Sequence, residues 1–180
     1  MTRVLVIVDI QRDYFPGGAY PLVGADAAAE RAAVLLADQR AAGAPVIHVR
    51  HESREPGAGM LVPGTPGGEI DSRVAPLAGE TVVPKAHPNA FLETPLNDLL
   101  RGAAASEVLV IGMQSSMCVD ATVRAASDLG FAVTVAADAC AAPDLAFGGT
   151  RIGGGDVHAA FMAALAAGYA KVALVDDLVA

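Results

Sequence analysis

Asp9, Lys85 and Cys118 each stand where an apolar run breaks into a turn. Asp9 ends the block Arg3 to Val8, Lys85 closes T-V-V-P-K, and Cys118 follows G-M-Q-S-S-M after the run Val108 to Ile111. Carboxylate, ammonium and thiol together suit nucleophilic catalysis. A cysteine is only a few per cent thiolate at neutral pH, so it needs a base or a cationic neighbour. Asp9 is the residue to take its proton, and Lys85 the one to hold Asp9 and stabilise the anion that forms. A helix predicted from Cys118 to Gly130 places the thiol on its first turn, where unpaired N–H groups and the macrodipole favour a thiolate. The backbone N–H groups of Gln114 and Cys118 are candidates for an oxyanion hole, in which one donor is typically worth ~10²–10³ in rate.

Around these three lie weaker signals. Gln11 and Asp13 either position substrate or tie down the turn after Asp9. Tyr14, Phe15 and Phe91 are candidates for an aromatic substrate-binding pocket, against the ordinary use of Phe in a core. Cys140 reads as a structural residue, with a place in the pocket wall as the alternative. His48, His51, His87 and His158 read as a strand residue, a rim, a loop and a helix face rather than metal ligands. The Gly148 to Gly155 stretch lacks the preceding strand and the G-K-[ST] ending of a phosphate loop, and is expected to be a flexible loop over the pocket.

The positioning elements alternate. Arg3 to Val8 is too short for a helix and β-branched enough for a strand buried on both faces. A helix from Ala25 to Ala42, stopped by Gly43, leads to a second strand, Val46 to Val49. Short strands at Thr81 to Val83, Val108 to Ile111, Phe131 to Ala136 and Lys171 to Val175 continue the pattern. Helices are expected at Thr94 to Arg101, with Thr94 as N-cap and Pro95 at N1, and at Asp156 to Ala167. This is an α/β chain with a six-stranded parallel sheet, doubly wound, in a single domain over residues 1–180. In such sheets ligands bind outside the carboxyl ends of the strands, where Asp9, Lys85 and Cys118 all fall. Between Glu52 and Gly79 the alternation fails and Gly, Pro and Ser take over. So long an irregular stretch inside a domain reads as one wall of the pocket.

Bulk properties narrow the partners. With 180 residues the chain closes a core without disulfide or metal staples, and its two cysteines are expected free. A net charge of −8 without any basic cluster argues against nucleic acid and anionic membrane, leaving a small-molecule substrate. No apolar run is long enough to span a bilayer, and Met1 to Asp9 is too short for a signal-peptide core, so a cytoplasmic location is expected. Ala- and Gly-rich helix faces suggest a homo-oligomer, dimer or tetramer.

Three segments carry a resemblance. V-D-I-Q-R-D-Y-F at Val8 to Phe15, V-V-P-K-A-H-P-N-A-F-L-E-T at Val82 to Thr94 and G-M-Q-S-S-M-C-V-D-A-T at Gly112 to Thr122 resemble the signature segments of the isochorismatase-like cysteine hydrolases, in the same order and separation. The resemblance implies a three-layer sandwich with strand order 3-2-1-4-5-6, an Asp–Lys–Cys triad at Asp9, Lys85 and Cys118, and a cis peptide at Met113–Gln114. Family members that hydrolyse a vinyl ether do not need the thiol, whereas its amidases do, so Cys118 favours C–N hydrolysis through an acyl-thioenzyme. The metal-binding Asp-x-His pattern of nicotinamidases has no counterpart in His48-Val49-Arg50-His51, so no metal and no cofactor is expected. P-G-T-P-G-G-E-I at Pro63 to Ile70 is similar to the streptothricin-hydrolase-like branch. A vinyl-ether hydrolase, and a binding protein that keeps the scaffold without catalysis, are the competing readings.

Overall fold

The computed structural model describes residues 2–180. Its centre is β1 (Thr2–Val8), whose last five residues are buried, as expected of a strand covered on both faces. Six parallel strands lie in the order β3 (Thr81–Lys85), β2 (Val46–His51), β1, β4 (Ala105–Met113), β5 (Ala132–Ala141), β8 (Lys171–Ala173). This is the order 3-2-1-4-5-6 with β8 as the sixth strand; β6 (Leu145–Phe147) and β7 (Thr150–Ile152) form a separate antiparallel pair.

Period-two alternation sorts the side chains of β1 between two cores. Leu5 and Ile7 face α1 (Ala25–Ala41), which offers Ala28, Ala29, Ala32, Leu35 and Leu36 at helical spacing. Val4, Val6 and Val8 face the other layer, built from α2 (Leu96–Gly102), α3 (Asp120–Asp128) and α4 (Gly154–Ala166), where Leu96, Leu100, Val123 and Leu165 are buried. The sheet between the layers makes the three-layer sandwich. Among the described residues no helix is long and apolar enough to cross a membrane.

Four local expectations are corrected. The helical segment after β4 begins at Ser115, not Cys118: a π-helical turn, Ser115–Val119, precedes α3. The α2 helix starts one residue later than expected, with Pro95 as its cap, although the Thr94 hydroxyl still accepts from the Leu96 N–H at 3.2 Å. Strand β5 runs on to Ala141 because it skips register against β4, pairing Val110 with Val135 and then Gly112 with Cys140. The Gly148 to Gly155 stretch expected as a flexible loop over the pocket is instead the β6–β7 hairpin tip, strand β7 and the start of α4. Gly148 and Gly149 both have positive φ, +57° and +81°, the left-handed pair that a two-residue hairpin turn requires.

The irregular Glu52 to Gly79 stretch is tied to the β1 turn. The buried Asp13 carboxylate accepts from the Ala19 and Leu61 N–H groups, and the Asp13 N–H donates to Gly67 O. A Cβ on Gly67 would lie 2.1 Å from Asp13 Oδ1, so only glycine allows this approach.

Candidate active site

Sheet register assembles the site at the carboxyl ends of four strands. Parallel pairing sets Val8 beside Val49 and Gly112, and His51 beside Lys85. Gly112, at φ +140°, lies so close to β1 that a Cβ there would stand 1.9 Å from Val8 O. Asp9 follows β1 with a positive φ of 50°, the Met113–Gln114 peptide is cis, and Cys118 sits in the π-helical turn. Two hydrogen bonds fix that turn and its helix. Ser115 Oγ meets His158 Nδ1 of α4 at 2.8 Å, and Thr122 Oγ1 accepts from the Ala90 N–H in the loop that follows Lys85.

The structure brings Asp9, Lys85 and Cys118 together, all buried. An ammonium has three protons, and Lys85 Nζ donates them to His51 Nδ1 at 2.9 Å, His87 O at 2.9 Å and Cys118 Sγ at 3.3 Å. Asp9 Oδ2 is 2.7 Å from Nζ, so the carboxylate and the ammonium form a fully buried ion pair. A buried carboxylate this close to the thiol is placed to accept its proton. Burial raises the Asp9 pKa and outweighs the opposing pull of Lys85.

The thiol differs from its sequence expectation. Burial, followed by the Asp9 charge, pushes Cys118 up to about 12, with Lys85 opposing. The resting group is a thiol, because desolvation of the anion outweighs any benefit of the helix start. His51 is neutral: burial, then the Lys85 charge, lowers it to about 4, consistent with an Nδ1 that accepts from the ammonium.

A cavity of about 250 Å³ opens onto the thiol. Cys118, Gln114 and His51 lie at its base, Tyr14 and Tyr20 come from the turn after β1, and Ser53, Met60 and Leu61 come from the long loop, which is the expected wall. Pro88 and the half-exposed Met117 complete it. Among the described residues the Gln114 N–H makes no backbone hydrogen bond, and Gln114 O accepts from Met117 and Val119 while passing over Cys118. Both candidate oxyanion donors therefore belong to residues that line the cavity.

The other expected substrate contacts separate. Tyr14 lines the cavity, but Phe15 lies under the Arg73 guanidinium, 4.5 Å from ring centroid to Cζ, and Phe91 stacks on Phe131 with centroids 6.4 Å apart. Core and surface packing claim both rings, so the three aromatics form no common pocket. Gln11 is buried and clamps backbone: its Nε2 donates to His51 O and Gly68 O, and its Oε1 accepts from His51 N. Cys140 is buried against Ala136 O, and neither it nor the β6–β7 hairpin lines the cavity. His51 was read as a rim and is central instead; its placement follows from β2–β3 register, for which the sequence carries no local signal.

Asp9, His51 and Cys118 offer a carboxylate, an imidazole and a thiol within 4.8 Å of one another, as a metal site would. They do not fit one here. The Lys85 ammonium contacts all three, placing a fixed positive charge where a cation would sit. His48 has no part in the cluster, since its Nε2 meets Glu80 Oε2 at 3.0 Å.

Comparison with known proteins agrees with this geometry. The isochorismatase domain family matches residues 3–177. An uncharacterised isochorismatase family protein of Bacillus subtilis is 45% identical over 172 residues, 96% of each chain. A streptothricin hydrolase of Streptomyces noursei is 40% identical over 143 residues, 79% of this chain and 56% of that protein. A maleamate amidohydrolase of Pseudomonas putida is 32% identical over 145 residues, 73% of this chain and 68% of that protein. The crystal structure of a protein from Oleispira antarctica assigned to the isochorismatase hydrolases superposes with a TM-score of 0.94 at 46% identity, covering 98% of this chain and 95% of that one. With its sheet order, its buried Asp–Lys–Cys cluster and these matches, the chain belongs to the isochorismatase family of hydrolase domains.

Proposed function

We propose that the protein hydrolyses a C–N bond of a small molecule, an amide, lactam or carbamoyl group, through an acyl-thioenzyme at Cys118. One observation carries this reading: a buried carboxylate, ammonium and thiol meet at one point, with Lys85 Nζ 2.7 Å from Asp9 Oδ2 and 3.3 Å from Cys118 Sγ. Asp9 takes the thiol proton as sulfur attacks the carbonyl carbon, so a C–S bond forms and the carbonyl oxygen becomes an oxyanion. The Gln114 and Cys118 N–H groups stabilise that oxygen, and the Lys85 N–H already directed at sulfur stabilises the developing thiolate. Asp9 returns its proton to the leaving nitrogen as the C–N bond breaks. Water, deprotonated by Asp9, then attacks the thioester; the acid leaves and the proton returns to sulfur. The name of the maleamate amidohydrolase among the relatives supports C–N chemistry on this scaffold.

Intact-mass spectrometry after exposure to an amide library tests the reading. An acyl adduct on Cys118 is expected; a Cys118→Ala protein that keeps wild-type turnover of an identified amide overturns it.

A second reading rests on Asp9 alone. A buried carboxyl whose pKa is raised by burial is also a competent general acid for a vinyl ether such as isochorismate. Retained isochorismate turnover in Cys118→Ser favours that reading, and its loss favours the thiol.

A further inference from the structure

The charge of the cavity wall bears on which amides can enter. Tyr14, Met60, Leu61, Pro88 and Met117 present mostly carbon, and the polar wall groups His51, Ser53 and Gln114 are uncharged. Lys85 is the cation nearest the thiol, but its side chain is fully buried and its three protons are committed. Arg50 is paired with Glu52, and the exposed Arg54 does not line the cavity. Asp9, next to the thiol, takes up the Lys85 charge at 2.7 Å, so the pair offers an incoming anion no free cation. A carboxylate brought into this space would lose water and gain no cationic partner among the described residues that line it, and both oppose its entry.

We propose that the cavity admits compact, uncharged amides and turns away amides that carry a carboxylate. Its volume of about 250 Å³ lies just below the ~300–1,000 Å³ usual for ligand sites, which restricts the substrate to small molecules. The tyrosine hydroxyls, Ser53 and the Gln114 amide give such a guest neutral hydrogen-bond partners for orientation. As a statement about amide substrates the proposal rests on the C–N reading above; the charge selection itself does not.

Iodoacetamide and iodoacetate test it, since both alkylate a thiol and they differ in charge. Labelling of Cys118 is followed by intact mass on a Cys140→Ser background, in ~0.5 M salt to screen the negative surface field, with glutathione as the open reference thiol. The neutral reagent is expected to be favoured over the anion by roughly a hundredfold more than at glutathione. Met60→Arg, which sets a guanidinium in the wall, is expected to shrink that preference by about tenfold or more. A preference equal to that of glutathione overturns the proposal, as does iodoacetate labelling that depends on Arg54 in an Arg54→Ala comparison. Should the buried thiol resist both reagents, binding of but-2-enamide and of its 4-carboxylate to Cys118→Ala is compared by NMR, and equal or tighter binding of the carboxylate overturns the proposal. Charge selection without acylation by any amide overturns the C–N reading and leaves this one standing.

Discussion

His51 Nδ1 lies 2.9 Å from Lys85 Nζ, and the two residues are register partners on β2 and β3. The imidazole is held on its own strand by Gln11, whose amide accepts from His51 N and donates to His51 O. One buried glutamine thus aims the histidine, and the histidine aims one proton of the lysine. His51→Leu removes the acceptor that aims this ammonium proton and leaves Asp9, 2.7 Å from Nζ, as the nearest alternative, at a cost of about 1 kcal/mol. Denaturant unfolding is expected to show that loss together with slower acylation of Cys118. Unchanged stability and acylation in His51→Leu would mean that the histidine does not orient Lys85.

Asp9→Asn is expected to separate two properties of the thiol. The Asp9 charge raises the Cys118 pKa, and Lys85 lowers it. Removing the carboxylate therefore makes the thiolate easier to form, and alkylation by iodoacetamide at pH 8 is expected to accelerate. Amide turnover is expected to fall by about 10²–10⁴, because no acid remains to protonate the leaving nitrogen. Rates for the two reactions measured on one preparation decide the matter: amide turnover that survives the substitution removes Asp9 from the mechanism.

Much of this site was legible because its three reactive groups sit at strand ends, which runs of β-branched residues mark clearly. Asp9, Lys85 and Cys118 needed only that pattern and the rule for the carboxyl edge of a parallel sheet. What escaped depends on neighbours across the sheet. His51 lies beside Lys85 only through register, and Phe91 left the pocket because Phe131 offers it a stacking partner. The thiol pKa is not legible either, because the sequence shows a helix start but not the burial that opposes it. The hairpin at Gly148–Gly149 was missed although two adjacent glycines between short β-prone runs are themselves a turn signal.

Acid sensitivity follows from groups that shift in the same direction. His48, His51 and His158 all have pKa values lowered by burial, His51 to about 4. The unfolded chain takes up those protons first, so stability is intact above about 6.5 and declines as pH falls below it. Glu80 extends the decline. Its carboxylate accepts from Arg40 and the Leu77 N–H and meets His48, which holds it down to about 2, so its contribution is present above about 4.5 and is lost between there and 2. Asp9 opposes the trend, since its raised pKa lets the folded state bind that proton first. Urea midpoints from pH 8 to about 2.5 are expected to fall, and Glu80→Gln to flatten the part below about 4.5. A midpoint constant down to pH 4 contradicts the assignment of neutral buried histidines.

Gly112→Ala tests whether backbone approach, rather than any side chain, sets the site. At φ +140° a Cβ would meet Val8 O at 1.9 Å, and the obstacle is main chain at the centre of the sheet, which cannot swing aside. Relief requires β1 and β4 to separate at Val8 and Gly112, the residues just before Asp9 and the Met113–Gln114 peptide. A loss of about 3 kcal/mol or more in unfolding free energy is expected. Turnover of the folded fraction is expected to fall as well, since shifts of about 1 Å in reacting groups can cost ~10² in rate. Gly155→Ala is the control, because a Cβ there meets open space on α4 and is expected to leave turnover unchanged and stability equal or up to about 1 kcal/mol higher. A Gly112→Ala protein as stable and active as this control would show that the approach of β4 to β1 does not position the catalytic groups.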